Sequence, residues 1–154
     1  MLQRTTTYSA EETIALGERI GRNLRPGDVL AFSGELGSGK TTMIRGVVRA
    51  ALGDDPVASP TFVFWHRYRK EPPLHHLDLY RVESEHELEE LGFEEALTPD
   101  AVVLVEWPER APELLPEDRL AVTIEGIGAL PRSITLHAGG PRSERLLGCL
   151  EAAC

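Results

Sequence analysis

One segment of this chain has the residue types and spacing to hold a polyphosphate. In Gly34-Glu35-Leu36-Gly37-Ser38-Gly39-Lys40-Thr41-Thr42 a glycine stands first and Gly39 sixth, followed by a lysine and a threonine; this is the P-loop spacing. In such a loop backbone N–H groups converge on an anion, and the helix behind adds the favourable end of its dipole. Lys40 is then placed to reach the outer phosphates, and the Thr41 hydroxyl to bind Mg²⁺. Glu35, Leu36, Gly37, Ser38, Gly39, Lys40, Thr41 and Thr42 are therefore expected to contact a nucleoside triphosphate. A plain tight turn needs one or two glycines, but neither a lysine nor paired threonines at the helix start. The lysine is also selective, because Lys40 and Lys70 are the only lysines in an arginine-biased chain. A compact point charge suits a phosphate here.

A P-loop needs a carboxylate to complete its metal site, usually at the C-terminal end of a buried neighbouring strand. Val102-Val103-Leu104-Val105-Glu106 has that form. Glu106 is thus expected to hold Mg²⁺ directly or through water; the alternative is a solvated strand-end glutamate. Asp78 lies on the polar face of its strand, flanked by His76 and Tyr80. It can orient the attacking water, hold the magnesium shell, or pair with Arg81 structurally, and spacing leaves these open. Ser59-Pro60-Thr61-Phe62 falls where nucleotide switches sit in such folds, with a proline-fixed turn as the alternative. His75 and His76 do not read as a metal site. Adjacent strand residues point to opposite faces, and no third soft ligand is near. The glutamate-rich run from Glu83 to Glu95 reads as a solvated helix face, with a docking surface for a basic partner as the other reading.

The elements that must position these groups form an α/β pattern. Thr5–Tyr8 suits a short edge strand. Ser9-Ala10-Glu11-Glu12 is a capping box before a helix carrying Ile14, Leu16, Ile20 and Leu24. A turn at Pro26-Gly27-Asp28 leads to the apolar strand Val29–Phe32, then the loop, then a helix from Thr41 to Leu52. Phe62–Tyr68 and His75–Arg81 read as an antiparallel hairpin around Glu71-Pro72-Pro73. An acidic helix from Glu83 to Leu91 ends at Gly92. Ala101–Val105 is continuously apolar, as in a strand covered on both faces. Pro108–Pro116 is a proline-punctuated loop or short helix. Leu120–Ile124 and Ser133–His137 are two further strands, and Arg142–Ala152 a terminal helix. The expected architecture is a single P-loop NTPase domain over residues 1–154. It has a mixed sheet with a parallel core and antiparallel additions, and helices on both faces.

The chain has 154 residues, 42% of them hydrophobic and 27% charged, which suits one soluble domain with a real core. The formal net charge of −9 argues against autonomous nucleic-acid binding and permits a basic protein partner. No run resembles a membrane span or a signal peptide. Cys149 and Cys154 lack metal or disulfide-framework spacing, so a reducing cytoplasm is the natural expectation.

In this order, GELGSGKTT, SPTF, HLDLYR and VEWPE resemble the TsaE (YjeE) family of bacterial P-loop ATPases, from the Ser9 helix to about Leu136. The P-loop alone is shared by many families; its combination with SPTF, DLYR and EW is specific. The resemblance implies a cytoplasmic protein that binds ATP and Mg²⁺ and hydrolyses ATP slowly. It implies a role in making threonylcarbamoyladenosine in tRNA with two partners, TsaD, which transfers the threonylcarbamoyl group, and TsaB, a related scaffold. ATP hydrolysis would drive or reset the complex between turnovers, and tRNA would be met through the complex. By position, Lys40 and the loop amides hold phosphates, and Thr41 with Glu106 holds Mg²⁺. Asp78 falls on the DLYR aspartate, in a catalytic or metal-shell role. Thr61 falls in the switch-like SPTF segment, and Trp107 packs near the nucleotide or reports its state. Ser9 and Thr13 match a region expected near the adenine. Arg81 and Arg132 are possible arginine fingers, or a partner completes the site.

Three other readings compete. A small P-loop kinase would need an acceptor pocket and an arginine-rich lid, yet Pro108–Pro116 holds only Arg110. A GTP switch would need an Asn/Thr-Lys-x-Asp element, which neither lysine fits. A nucleotide-gated assembly factor would use bound ATP rather than its hydrolysis.

Overall fold

The computed structural model describes residues 1–53 and 64–151. Seven strands form one sheet: β1 (Leu2–Thr7), β2 (Val29–Ser33), β3 (Trp65–Lys70), β4 (Pro73–Asp78), β5 (Val102–Glu106), β6 (Leu120–Glu125) and β7 (Arg132–Ala138). Their spatial order is β1-β7-β6-β2-β5-β4-β3. The four central strands β6, β2, β5 and β4 run parallel, while β1, β7 and β3 pair antiparallel at the margins. This is the mixed sheet with a parallel core that the residue pattern implies. The loop-bearing strand β2 lies between β5 and β6, so whatever follows it is flanked by the ends of both neighbours.

Helices α1 (Ala10–Arg22), α2 (Lys40–Leu52) and α4 (Pro141–Glu151) cover one face, and α3 (Glu85–Glu90) the other. Alternation along the strands sorts the core accordingly. Leu30, Phe32, Leu74, Val102 and Leu104 pack with Ile20, Met43, Ile44, Val47, Leu146 and Leu150. Val29, Ala31, Leu77, Val103 and Val105 pack instead with Leu88 and Phe93. Each fully buried large apolar side chain contributes roughly 1.5–3 kcal/mol, enough in sum to hold the strand ends as a rigid frame.

Two contacts fix the loop helix against that frame. A Cβ at Gly46 of α2 would lie 2.2 Å from the Ile14 carbonyl of α1, and one at Gly17 of α1 2.2 Å from the Met43 carbonyl. The two helices are in near backbone contact, which only glycine allows. An ion pair between Arg49 and Glu18 adds a bridge at the solvent edge.

Several boundaries differ from the sequence expectation for identifiable reasons. β1 starts at Leu2 because residues 2–7 pair in register with β7. β4 begins at Pro73, paired with Lys70, a strand-start position where proline forfeits no interior ladder bond. It ends at Asp78 because the Asp78 carboxylate accepts the Tyr80 N–H at 3.1 Å, an Asx turn that bends the chain away. Ser84 caps α3 by accepting the Glu87 N–H. Phe62, Val63, Thr61 and the rest of the Ser59–Phe62 segment lie outside the described residues, as does Cys154.

Candidate functional site

α2 differs from its neighbours at its N-terminus. α1 and α3 carry serine caps at Ser9 and Ser84. The cap of α2 is Gly39 at φ +110°, with no side-chain hydrogen bond to the first turn. The opening N–H groups of a helix have no intrahelical acceptor, and here no side chain of the cap residue supplies one. The glycine is required because a side chain at that φ would be strained. Ser38, next to it, is buried, and its hydroxyl has no partner among the described residues.

A cleft of about 240 Å³ opens over this terminus, lined by Leu36, Gly37, Gly39, Lys40, Thr41, Thr42, Asp78, Tyr80, Glu106 and Trp107. The carboxylates arrive there by register. Asp78 at the end of β4 pairs with Glu106 at the end of β5, and both strands run parallel to β2. The face that is apolar at Leu74, Val102 and Leu104 thus turns acidic at its C-terminal edge, where α/β sheets place ligands.

Lys40 is only 5% exposed. Its Nζ donates to the carbonyls of Gly34 and, at 3.0 Å, Glu35, and stands 4.1 Å from the Trp107 ring centroid. Burial lowers its pKa, opposed by the negative charges of Glu106, Glu109 and Asp78. Neutral carbonyls and an aromatic face thus hold a cation that burial disfavours. Asp78 is perturbed in the complementary sense. Burial first, then the charge of Glu106, raise its pKa, partly offset by the Tyr80 N–H, His76 and Lys40. Trp107 adopts φ +60°, an uncommon conformation for a bulky residue. It packs on Tyr80 with ring centroids 5.0 Å apart. The strained backbone at the end of β5 turns the indole over Lys40.

Glu106, 3% exposed, is held at both oxygens. The Thr41 hydroxyl donates to Oε1 at 3.3 Å, and His76 Nε2 lies 2.8 Å from Oε2. Tyr68 Oη in turn lies 3.1 Å from His76 Nδ1. Burial, then the charge of Glu106, push the Tyr68 phenol up to about 12. His75 points to the opposite face, where Trp65 Nε1 donates to its Nδ1 at 3.0 Å; burial, then Arg67, lower its pKa.

Of the residues singled out from sequence, Lys40, Thr41, Thr42, Gly37, Gly39, Leu36, Asp78, Glu106 and Trp107 converge on this cleft. Glu35 lines a neighbouring cleft of about 390 Å³, with Gly34 and residues 123–127 at the ends of β2 and β6. Ser9 and Thr13 line neither. Ser9 caps α1 by accepting the Glu12 N–H at 3.1 Å. The Thr13 hydroxyl bonds that of Thr7 at 2.8 Å.

Arg132 is also placed outside the cleft. Its Nε donates to the Ser38 carbonyl at 3.0 Å, and its terminal nitrogens to the carbonyls of Gly128, Ala129 and Pro131. All three of its guanidinium nitrogens are engaged in tying the phosphate-type loop to the β6–β7 connection, which sequence reasoning missed. Arg81 is exposed and forms no ion pair with Asp78. His76 was missed as a partner of Glu106; period-two alternation does put it on the same face as Asp78, the signal that was available.

The parallel core, the glycine-capped helix and the acid-tipped neighbouring strands define a P-loop NTPase fold. A family model described as "Threonylcarbamoyl adenosine biosynthesis protein TsaE" matches residues 7–134. A relative from Bacillus subtilis, named tRNA threonylcarbamoyladenosine biosynthesis protein TsaE, is 40% identical over 141 residues, covering 91% of this chain and 88% of its own length. A protein of the same name from Rickettsia conorii is 34% identical over 151 residues, covering 95% and 86%. The crystal structure of Bacillus subtilis YdiB superposes with a TM-score of 0.82 at 34% identity, covering 99% of this chain and 96% of that one. The chain belongs to the TsaE family.

Proposed function

We propose that this protein binds ATP with Mg²⁺ in the cleft over α2 and hydrolyses it as a component of the machinery that makes threonylcarbamoyladenosine in tRNA, acting with TsaB and TsaD. The observation that carries the ATP reading is the uncapped α2 terminus beside a buried, pKa-depressed Lys40 and two strand-end carboxylates. Family membership carries the pathway.

The donor set suits a hard cation. Thr41 and Glu106 present oxygens 3.3 Å apart, and Mg²⁺ is commonly held by one or two protein oxygens together with substrate phosphates. When bound there, Mg²⁺ would neutralise charge developing on the phosphate oxygens. The chain's own groups do the rest. The loop amides and Lys40 bind the phosphates, Lys40 exchanging loop carbonyls for phosphate oxygens. Asp78, with its raised pKa, orients the attacking water and accepts its proton. The cleft beside Gly34 and Glu35 offers adjoining space for the nucleoside. Trp107 shields the ammonium and reports nucleotide by its fluorescence.

With Arg132 spent on carbonyls, no arginine of the described cleft faces the phosphates, so a partner is expected to complete the site. ATP hydrolysis measured with Mg²⁺, alone and with TsaB and TsaD, tests this. The expected result is slow turnover alone and strong stimulation by the pair. Phosphate passed instead to a small acceptor, with no binding to either protein, would overturn the reading in favour of a kinase. Pro108–Pro116, with Arg110 alone, does not supply the arginine-rich lid that alternative needs. No helix of the described residues is long and apolar enough to cross a membrane, and the net charge of −9 favours tRNA contact through the partners.

Arg132→Ala separates a brace from a finger. It is expected to lower stability by roughly 1–3 kcal/mol, because the carbonyl of buried Ser38 loses its donor, and to weaken ATP binding through a loosened loop, with kcat at saturation little changed. Loss of an arginine finger would instead cut kcat by about 10³-fold or more with an unchanged melting temperature.

A further inference from the structure

Glu106 is a buried carboxylate whose two oxygens face different partners. Oε1 meets the Thr41 hydroxyl and Oε2 meets His76. The side chains of His76 and Glu106 are both nearly inaccessible, at 3% and 4% exposure. A carboxylate so placed cannot rely on water to set its orientation, and an oxygen left unpaired there is costly. The imidazole has its own anchor, the Tyr68 hydroxyl at 3.1 Å. The Glu106 carboxylate can only accept, so the hydrogen bond to it assigns the N–H to Nε2. In a neutral imidazole Nδ1 is then the acceptor, and the Tyr68 hydroxyl donates to it. The three residues come from three adjacent strands, β3, β4 and β5, so the chain of bonds ties the acid across the sheet.

We infer that His76, oriented by Tyr68, is a positioning residue that holds Glu106 Oε2 and thereby presents Oε1 alone toward Thr41 and the cleft. This rests on the reading of Glu106 as a magnesium-holding carboxylate. The physical gain is a single fixed oxygen, which suits Mg²⁺ because that ion demands near-ideal octahedral geometry and binds through few carboxylate oxygens. A carboxylate free to rotate would present either oxygen, or both. Hydrogen-bonded partners behind a ligating group tune metal affinity in this way.

The test measures Mn²⁺ binding by electron paramagnetic resonance on the folded protein with ADP, and ADP binding separately in EDTA. His76→Leu is expected to weaken Mn²⁺ by about 10- to 100-fold while metal-free ADP binding stays at the wild-type value. His76→Gln, whose amide retains a donor, is expected to recover most of the loss, and Tyr68→Phe to show a smaller loss. Nitrogen NMR of the wild type is expected to show the proton of His76 on Nε2. A folded His76→Leu variant with wild-type Mn²⁺ affinity overturns the inference. If that variant does not fold, wild-type affinity in Tyr68→Phe together with a proton on Nδ1 overturns it. Glu106→Gln distinguishes the two levels. If it binds Mn²⁺ normally, the metal role of Glu106 fails and the inference with it. If it loses Mn²⁺ while His76→Leu does not, only the role of His76 fails.

Discussion

Lys40→Ala is expected to reduce ATP affinity and turnover by about 10²- to 10³-fold, the cost of removing a charged donor from a preorganised anion site, while the domain stays folded. The structure explains why the two effects separate. The ammonium is buried with its pKa lowered and bonds only to neutral carbonyls. Its removal loses two hydrogen bonds but also relieves a desolvated charge, so the melting temperature is expected to shift by only a few degrees. The ligand loses the one cation the loop aims at it. Equilibrium binding of a fluorescent ATP analogue and a thermal melt on the same preparation check both halves. Wild-type hydrolysis in this variant would sink the P-loop assignment.

Asp78→Asn is expected to reduce hydrolysis by about 10²-fold or more, within the range for a lost general base, with ATP binding retained and the melting temperature of the free protein raised. The sign follows from the raised pKa of Asp78, caused by burial and by Glu106. A carboxyl whose folded pKa exceeds its unfolded value is ionised more readily in the unfolded chain. At neutral pH its charge therefore destabilises the fold, and the penalty fades as pH falls through the folded pKa toward the unfolded one. Asparagine removes the charge and can still accept the Tyr80 N–H. For the same reason hydrolysis by the wild type should fall with acidification at a pH above the ordinary carboxylate range. A melting temperature that drops in Asp78→Asn, with binding lost as well, would mark Asp78 as structural. If the variant sustains repeated modification cycles in the full complex, hydrolysis is dispensable there and bound ATP alone does the work.

Such gains in stability on losing a functional group are common where a site is built from groups that repel one another. Lys40 and Asp78 are both shifted toward their neutral forms, and Trp107 is held at φ +60°. These three strains meet at the rim of one cleft, above strands whose apolar side chains are buried.

Local pattern was enough to read the loop, the two acids and the class of fold. The P-loop is contiguous, and its chemistry depends on spacing along the chain, which the amino-acid order states directly. Period-two alternation likewise placed Asp78 on a polar face, and the apolar run before Glu106 announced a buried strand. The roles of Arg132, His76 and the α1–α2 contact were not legible. Arg132 is spent on the Ser38 carbonyl 94 positions away. His76 meets Glu106 across 30 positions. The face that joins α1 to α2 is made by glycines, which carry no hydrophobic signal.

The order of residues by itself thus determined which groups exist and which neighbours along the chain share a face: a glycine-capped helix start, a lone lysine in a loop, a carboxylate at a strand end. Only the tertiary structure decided which of them meet. Strand order put β5 rather than β6 beside β4, bringing Asp78 level with Glu106. It also set Tyr68, His76 and Thr41 around one carboxylate. The reason is physical: backbone propensity and hydrophobic period act within a few residues, whereas a buried polar group takes its partner from whatever the packed sheet and helices place within hydrogen-bond reach.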